Sequence, residues 1–174
     1  MADYDELYDF GVKDEFIYTV CEIPKGSMNK IEYDREKKVF VLDRVEPCIF
    51  AKPVNYGFIP RTLDEDGDAL DTLILTDEAL PTGVVVKARV VAVLNFDDGG
   101  ENDHKIVCVP EDDRHWGNGV KSLGDLSDAW KNQIEHHFNH YKDLKSPGST
   151  KVLGWGDTEA AWQIIQSCAE ALKH

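Results

Sequence analysis

The chain has 174 residues, 42% of them hydrophobic, and sets 33 acidic against 19 basic side chains for a formal charge of -14 at pH 7. A chain of this length buries roughly 70% of its unfolded surface, so we expect one domain over 1–174 with no linker or repeat. The acidic balance excludes general binding to nucleic acid or anionic membrane, which needs basic surface. No run approaches the roughly 18 apolar residues of a spanning helix, and the acidic opening residues lack the basic and apolar regions of a signal peptide, so the expected location is the cytoplasm.

In chain order, residues 16–23 are rich in β-branched and aromatic side chains and stop at Pro24, which predicts a strand followed by a turn at 25–27. A second extended piece covers 31–33, and the charged stretch 34–38 leads into a third strand at 39–44. Thr72 to Thr76 is apolar and β-prone, and further strands are expected at 84–94 and 106–109, separated by an acidic glycine loop at 95–105. The period then changes. Leu126, Trp130, Ile134, Phe138 and Tyr141 recur every three or four residues behind Asp125 and Ser127, predicting a helix over 127–142. A second helix is expected after Asp157 or Thr158, burying Ala161, Trp162, Ile165, Cys168, Ala169 and Leu172. Short strands with turn signals between them point to a barrel or sandwich. Cys21, Cys48, Cys108 and Cys168 form no C-x-x-C pair and are read as free thiols of a reducing compartment.

The densest chemistry lies in Leu63-Asp64-Glu65-Asp66-Gly67-Asp68-Ala69-Leu70-Asp71. Carboxylates a few Å apart repel by roughly 1–4 kcal/mol per pair, so such a cluster is either a solvated acidic turn or a cation site. An EF-hand is excluded, because Ala69 and Leu75 stand where the loop needs glycine and glutamate. The stretch is therefore read as a strand-edge site, with Asp66 and Asp68 sharing a face of extended chain and Asp71 joining them through a turn at Gly67.

Other polar residues fall into sets that are ordinary singly. Asp98, Asp103 and Lys105 flank the glycine loop and pass for a solvated hairpin; Lys30 and Glu32 flank Ile31, and Arg44 ends its strand, as surface ion pairs do. Tyr56 and Tyr141 pass for packing, and Lys142 for a cation at a helix end. Together, however, Glu22-Ile23-Pro24, Lys30-Ile31-Glu32-Tyr33-Asp34, Asp43-Arg44, Asn55-Tyr56-Gly57, Asp66-Gly67-Asp68-Ala69-Leu70-Asp71, the spacing Asp98 to Asp103 to Lys105, His140-Tyr141-Lys142-Asp143-Leu144 and Gly154-Trp155 resemble the soluble family I inorganic pyrophosphatases of bacterial type. Ala69 and Ile31 depart from the family's usual residues, at positions that carry no chemistry.

The resemblance implies an OB-like five-stranded β-barrel with two helices of the C-terminal half packed outside it, hydrolysing inorganic diphosphate to two phosphates with several Mg²⁺ ions per site. It implies Asp66, Asp71, Asp98 and Asp103 as metal ligands, Glu22 and Glu32 as ligands of outer waters or an outer ion, and Lys30, Arg44, Tyr56, Lys105, Tyr141 and Lys142 as substrate donors. Asp68, central in the cluster and not needed as a ligand, is the candidate base. A divalent-cation-binding structural module without catalysis is the alternative, and it leaves the basic and tyrosine set without a role. The resemblance further implies a homohexamer. His136, His140 and Asp143 form one stripe on the first helix, at the family's subunit contact, and are expected to make that contact sensitive to acid.

Overall fold

The computed structural model describes residues 3–7 and 10–172. Residues 1–2, at the head of the acidic opening stretch, and 173–174, at the end of the expected domain, lie outside the described residues. Five strands form a closed ring in the order β1 (Ile17–Ile23), β4 (Asn55–Phe58), β5 (Asp71–Ile74), β8 (Lys105–Pro110) and β6 (Val85–Asp98), with β1 paired back onto β6. The pair β5–β8 is parallel, and the other four contacts of the ring are antiparallel. Strands β2 (Asn29–Asp34) and β3 (Val39–Val45) make a separate hairpin. The short β7 (Glu101–Asn102) and then β9 (Thr150–Gly156) lie along the far end of β6.

Successive residues of a strand point to opposite faces, and here both faces of the wall are covered. Ile74, Ile106 and Val93 belong to one apolar cluster, closed by Ala161, Ile165 and Cys168 of α2 (Thr158–Ala171). Leu73, Val107 and Leu94 belong to another, closed by Ile134 and Phe138 of α1 (Asp128–His140). This explains why β6 is apolar almost without alternation from Val90 to Phe96. Ser127 caps α1, accepting from the Trp130 N–H at 3.2 Å, and Asp157 caps α2, accepting from the Ala160 N–H at 2.9 Å.

Four expectations need correcting. The expected loop 95–105 is largely strand: β6 runs on to Asp98, because β9 and β7 supply it with hydrogen-bond partners, and Gly99 and Gly100 turn the chain with positive φ. Asp66 and Asp68 lie on a turn rather than an extended edge. Asp125 is not the cap of α1 but closes the capping box of the 3₁₀ turn Leu123–Asp125 before it, accepting from the Lys121 and Ser122 N–H groups at 3.0 and 2.9 Å. Leu172, expected to be buried, is the residue that ends α2 and is 38% exposed.

Candidate active site

The parallel register of β5 and β8 places Asp71 beside Lys105. Lys105 is 1% exposed, and its ammonium donates to Asp71 Oδ2 at 2.6 Å and to Asp103 Oδ1. Burial opposes its charge, but the two carboxylates outweigh it and hold the ammonium above its ordinary pKa. Asp103 is brought in by the return from β7, where its N–H donates to the Phe96 carbonyl at 3.0 Å. Burial raises its carboxyl above the usual range, with Lys105 pulling the other way.

Tyr56 sits opposite Leu73 in the β4–β5 register, on the same face as Asp71, and its hydroxyl donates to Asp71 Oδ2. Its neighbours in the Asn-Tyr-Gly motif hold it there. Buried Asn55 accepts from the Lys25 and Leu80 N–H groups at 2.9 and 2.8 Å and donates to Thr76 Oγ1 at 2.7 Å, pinning two loops to β4. Gly57 passes so close to β1 that a Cβ there would lie 2.1 Å from the Val20 carbonyl oxygen.

The acidic stretch ahead of β5 is a tight turn. Gly67 has φ +89°, the Asp64 N–H donates to the Asp68 carbonyl at 2.8 Å, and the Asp68 N–H donates to Asp66 Oδ1 at 2.9 Å. Thr62 fixes its far side by accepting from the Leu70 N–H at 2.9 Å. Asp66 and Asp68 are exposed at its tip. Burial, and beyond it the charges of Asp103 and Asp68, raise the pKa of Asp66, which ties the turn electrostatically to the barrel carboxylates.

Across from the turn, the end of α1 delivers Tyr141 and Lys142. Lys142 pairs with Asp98, and the Tyr141 hydroxyl lies 3.4 Å from the same carboxylate. Burial and the carboxylates of Asp98, Asp103 and Asp71 raise the Tyr141 phenol. The β2–β3 hairpin adds Lys30, paired with Glu32, and Arg44, paired with Asp43 at 2.6 Å and with Glu46. Glu22 is 8% exposed and accepts from the Tyr33 N–H at 2.7 Å. Burial first, and Asp71 next, push its carboxyl up to about 8.

The residues singled out in the sequence are thus brought to one end of the barrel, with Asp68 reaching the rest through Asp66. Two neighbours were not singled out. Lys52 is 9% exposed, with its ammonium 4.7 Å from the centre of the Tyr56 ring, 5.0 Å from Tyr141 and 5.6 Å from Phe138. His137 stacks on Tyr141 at 5.7 Å, its buried Nε2 has no hydrogen-bond partner, and burial together with the nearby Lys52 charge pushes its pKa down to about 3. The signal for Lys52 was a lone lysine in the otherwise apolar run Ile49-Phe50-Ala51-Lys52-Pro53-Val54.

Among the described residues, no three His, Cys, Asp or Glu side chains are gathered closely enough to hold an ion by themselves. The donor set is nonetheless all oxygen, and Asp71 with Asp103 already converges on one positive charge, that of Lys105. Mg²⁺ takes one or two carboxylates and keeps its remaining places for water and substrate phosphate, so the residues present fit it.

A sequence profile of the inorganic pyrophosphatase family matches residues 19–173. The chain belongs to the inorganic pyrophosphatase family. It is 56% identical to the inorganic pyrophosphatase of Neisseria meningitidis serogroup A over 171 residues, 98% of this chain and 97% of that one. Over 167 residues it is 56% identical to that of Haemophilus influenzae, covering 95% of each. A crystal structure of an inorganic pyrophosphatase from Neisseria gonorrhoeae superposes with a TM-score of 0.95 at 52% identity, covering 98% of this chain and 99% of that one. The enzyme from Thermus thermophilus superposes at 0.91 with 38% identity, over 99% and 100% of the two chains. All the site residues of this pyrophosphatase-family chain, from Glu22 to Lys142, fall inside the profile match.

Proposed function

We propose that the chain hydrolyses inorganic diphosphate to two phosphates at the barrel end around Asp71, Lys105 and Asp103, with Mg²⁺ as its metal. The observation that carries this reading is the alternation of charge there: half-buried carboxylates around the buried Lys105 ammonium, with Lys30, Arg44, Tyr141 and Lys142 beyond them. Carboxylates alone would serve a cation-binding module without catalysis, but the cations and phenols answer a ligand rich in anionic oxygen.

Asp66, Asp71, Asp98 and Asp103 would hold the metal, with Glu22 and Glu32 ordering outer waters. Mg²⁺, when bound, would neutralise phosphate oxygens and lower the pKa of a water, which attacks phosphorus as it gives up a proton. The transition state of phosphoryl transfer spreads charge over its oxygens, so the protein's share is positioning and neutralisation. Arg44 can grip a phosphoryl group through two N–H donors; Lys30, Lys105 and Lys142 act as point charges, and Tyr56 and Tyr141 donate hydroxyl hydrogens. Asp68, exposed on its turn, is open to water and is assigned the proton of the attacking water.

Phosphate release from diphosphate, with Mg²⁺ and with EDTA, tests the reading. Release in Mg²⁺ only is expected, and none in either condition would overturn it.

We also propose self-association as a homohexamer in the cytoplasm. The rings of His136 and His140 lie 4.5 Å apart and His140 Nδ1 lies 2.8 Å from Asp143 Oδ2 on exposed helix surface, while Leu42, Val45 and Ile49 expose more than half of their surface. Such surface suits a subunit contact. Free thiols at Cys21, Cys48, Cys108 and Cys168 suit a reducing compartment, and among the described residues no helix is long and apolar enough to cross a membrane.

A further inference from the structure

The cations Lys30, Arg44, Lys105 and Lys142 each have a carboxylate partner. Lys52, buried among them, has none within ion-pair distance among the described residues. An unpaired buried amine is costly unless its surroundings favour the charge or a ligand supplies the counter-ion. Three aromatic faces, Tyr56, Tyr141 and Phe138, favour it in part. The charged groups around it act mostly the other way. After burial, Lys105 on β8, Lys30 on β2 and Arg44 on β3 lower its pKa, Asp71 on β5 raises it, and the outcome is about 7. His137 on α1 is held neutral, so it adds no counter-charge, and Glu46 is engaged by Arg44.

The lysine also has an opening in front of it. Lys52 lines a crevice with Asn29, Lys30, Arg44, Tyr141 and Glu46, the last already paired with Arg44, and its open volume of ≈ 10 Å³ admits about one water-sized group. That is room for a single oxygen with donors around it, and too little for a whole phosphoryl group.

We propose that Lys52 is a direct substrate ligand, its ammonium binding one anionic phosphoryl oxygen of diphosphate in the crevice it shares with Lys30, Arg44 and Tyr141. The assignment rests on the diphosphatase reading above. The arriving oxygen provides the counter-charge the apo site lacks, and because it favours the ammonium, binding above pH 7 takes up a proton at Lys52. Pro53 and the 3₁₀ turn Cys48–Phe50 before it fix the backbone on either side, so the amine is presented without a long loop having to order.

Lys52→Met and Lys52→Arg in the Mg²⁺-loaded enzyme test this. Losing one charge-assisted contact should raise the KM for diphosphate about ten- to a hundredfold, by a larger factor than it lowers kcat, and arginine should restore most of it. The wild-type KM should climb from pH 7 to pH 9 relative to that of Lys52→Arg, whose charge persists. Calorimetric titration of inorganic phosphate at pH 8 in two buffers of different ionisation enthalpy should show proton uptake in the wild type and less in Lys52→Met. An active wild type with a KM for Lys52→Met within twofold of its own overturns the lysine assignment alone. So does a rise of KM that comes with a lower kcat and melting temperature and that arginine does not rescue, since that is a packing role. A wild type that releases no phosphate from diphosphate overturns the parent reading and this one with it.

Discussion

Lys105 holds two carboxylates together in the absence of metal, with side-chain exposures of 20% for Asp71 and 14% for Asp103. In Lys105→Met these are left facing one another, at a cost of about 3 kcal/mol. Urea denaturation should show that loss in EDTA and a smaller one in Mg²⁺, which supplies the missing charge; an equal loss in both would mean the metal does not reach this pair. Asp68 and Asp71 should separate in the opposite sense. Asp68→Asn keeps the shape of an exposed turn residue and should lower turnover about a hundredfold or more with Mg²⁺ affinity nearly intact, whereas Asp71→Asn removes the anion shared by Tyr56 and Lys105 and should weaken Mg²⁺ binding severely. Titration calorimetry decides, and equal loss of Mg²⁺ binding in both refutes the division of roles. His137 gives a pH dependence. An unfolded histidine takes its proton near ~6.5, while the native imidazole resists until about 3, so between these values the unfolded chain binds more protons and stability rises with pH. The contribution is complete above the upper value and is lost as pH falls through the window, and His137→Phe should flatten the fall between pH 6.5 and pH 4 by about 2 kcal/mol; parallel wild-type and variant curves would count against it. The Asp, Lys, Arg and Tyr set was legible in the sequence because its members, ordinary singly, together match the motifs of a known family. Lys52 and His137 were not, since only their neighbours in space make a lysine and a histidine unusual.

At the level of elements, the approach of β4 to β1 is the tightest constraint. A methyl at Gly57 meets a backbone carbonyl that cannot rotate away, so Gly57→Ala should cost more than about 3 kcal/mol, and since Tyr56 shifts with the strand, activity should fall as well. Thermal melts check this, and a variant within 1 °C of wild type would show that the two strands can part without loss. The same element was missed from the sequence. Four residues including a glycine give too little alternation to read, although the motif around Tyr56 was noticed. Strand β9 was hidden for a related reason, because Gly154 sits in it with φ +125° where β6 has its register shift. Strands β1, β3 and β5 and both helices were legible, since each carries a run of β-branched or periodic apolar residues whose local preference agrees with its tertiary role. The end of β6 is the converse case: Asn95, Asp97 and Asp98 favour a loop, and pairing with β9 and β7 overrides them.

For the whole molecule, the helix stripe of His136 and His140 sets the acid response of the proposed assembly. Across a two-fold contact these rings would face their own copies. Acidification should loosen the contact through repulsion between the facing rings, while Asp143, whose carboxyl the His140 hydrogen bond holds below its usual range, offsets part of it. Sedimentation velocity should show partial dissociation at pH 5 and less of it in His140→Gln, and an unchanged wild-type coefficient between pH 8 and pH 5 would remove the switch. The closed ring also dictates an order of events for a chain made from its amino end. Strand β1 closes the barrel against residues 85–88, and β5 finds its parallel neighbour only at 105–108, beyond the whole of β6. A nascent chain that has emerged only as far as β5 therefore holds Asp71 without the lysine that pairs with it and presents two open strand edges. Closure between such distant segments is slow, on the order of milliseconds to seconds. The carboxylates of Asp71 and Asp103 therefore meet only late, so a metal held between that pair cannot template the barrel, and a ribosome paused within β6 would leave the chain at its most prone to aggregate.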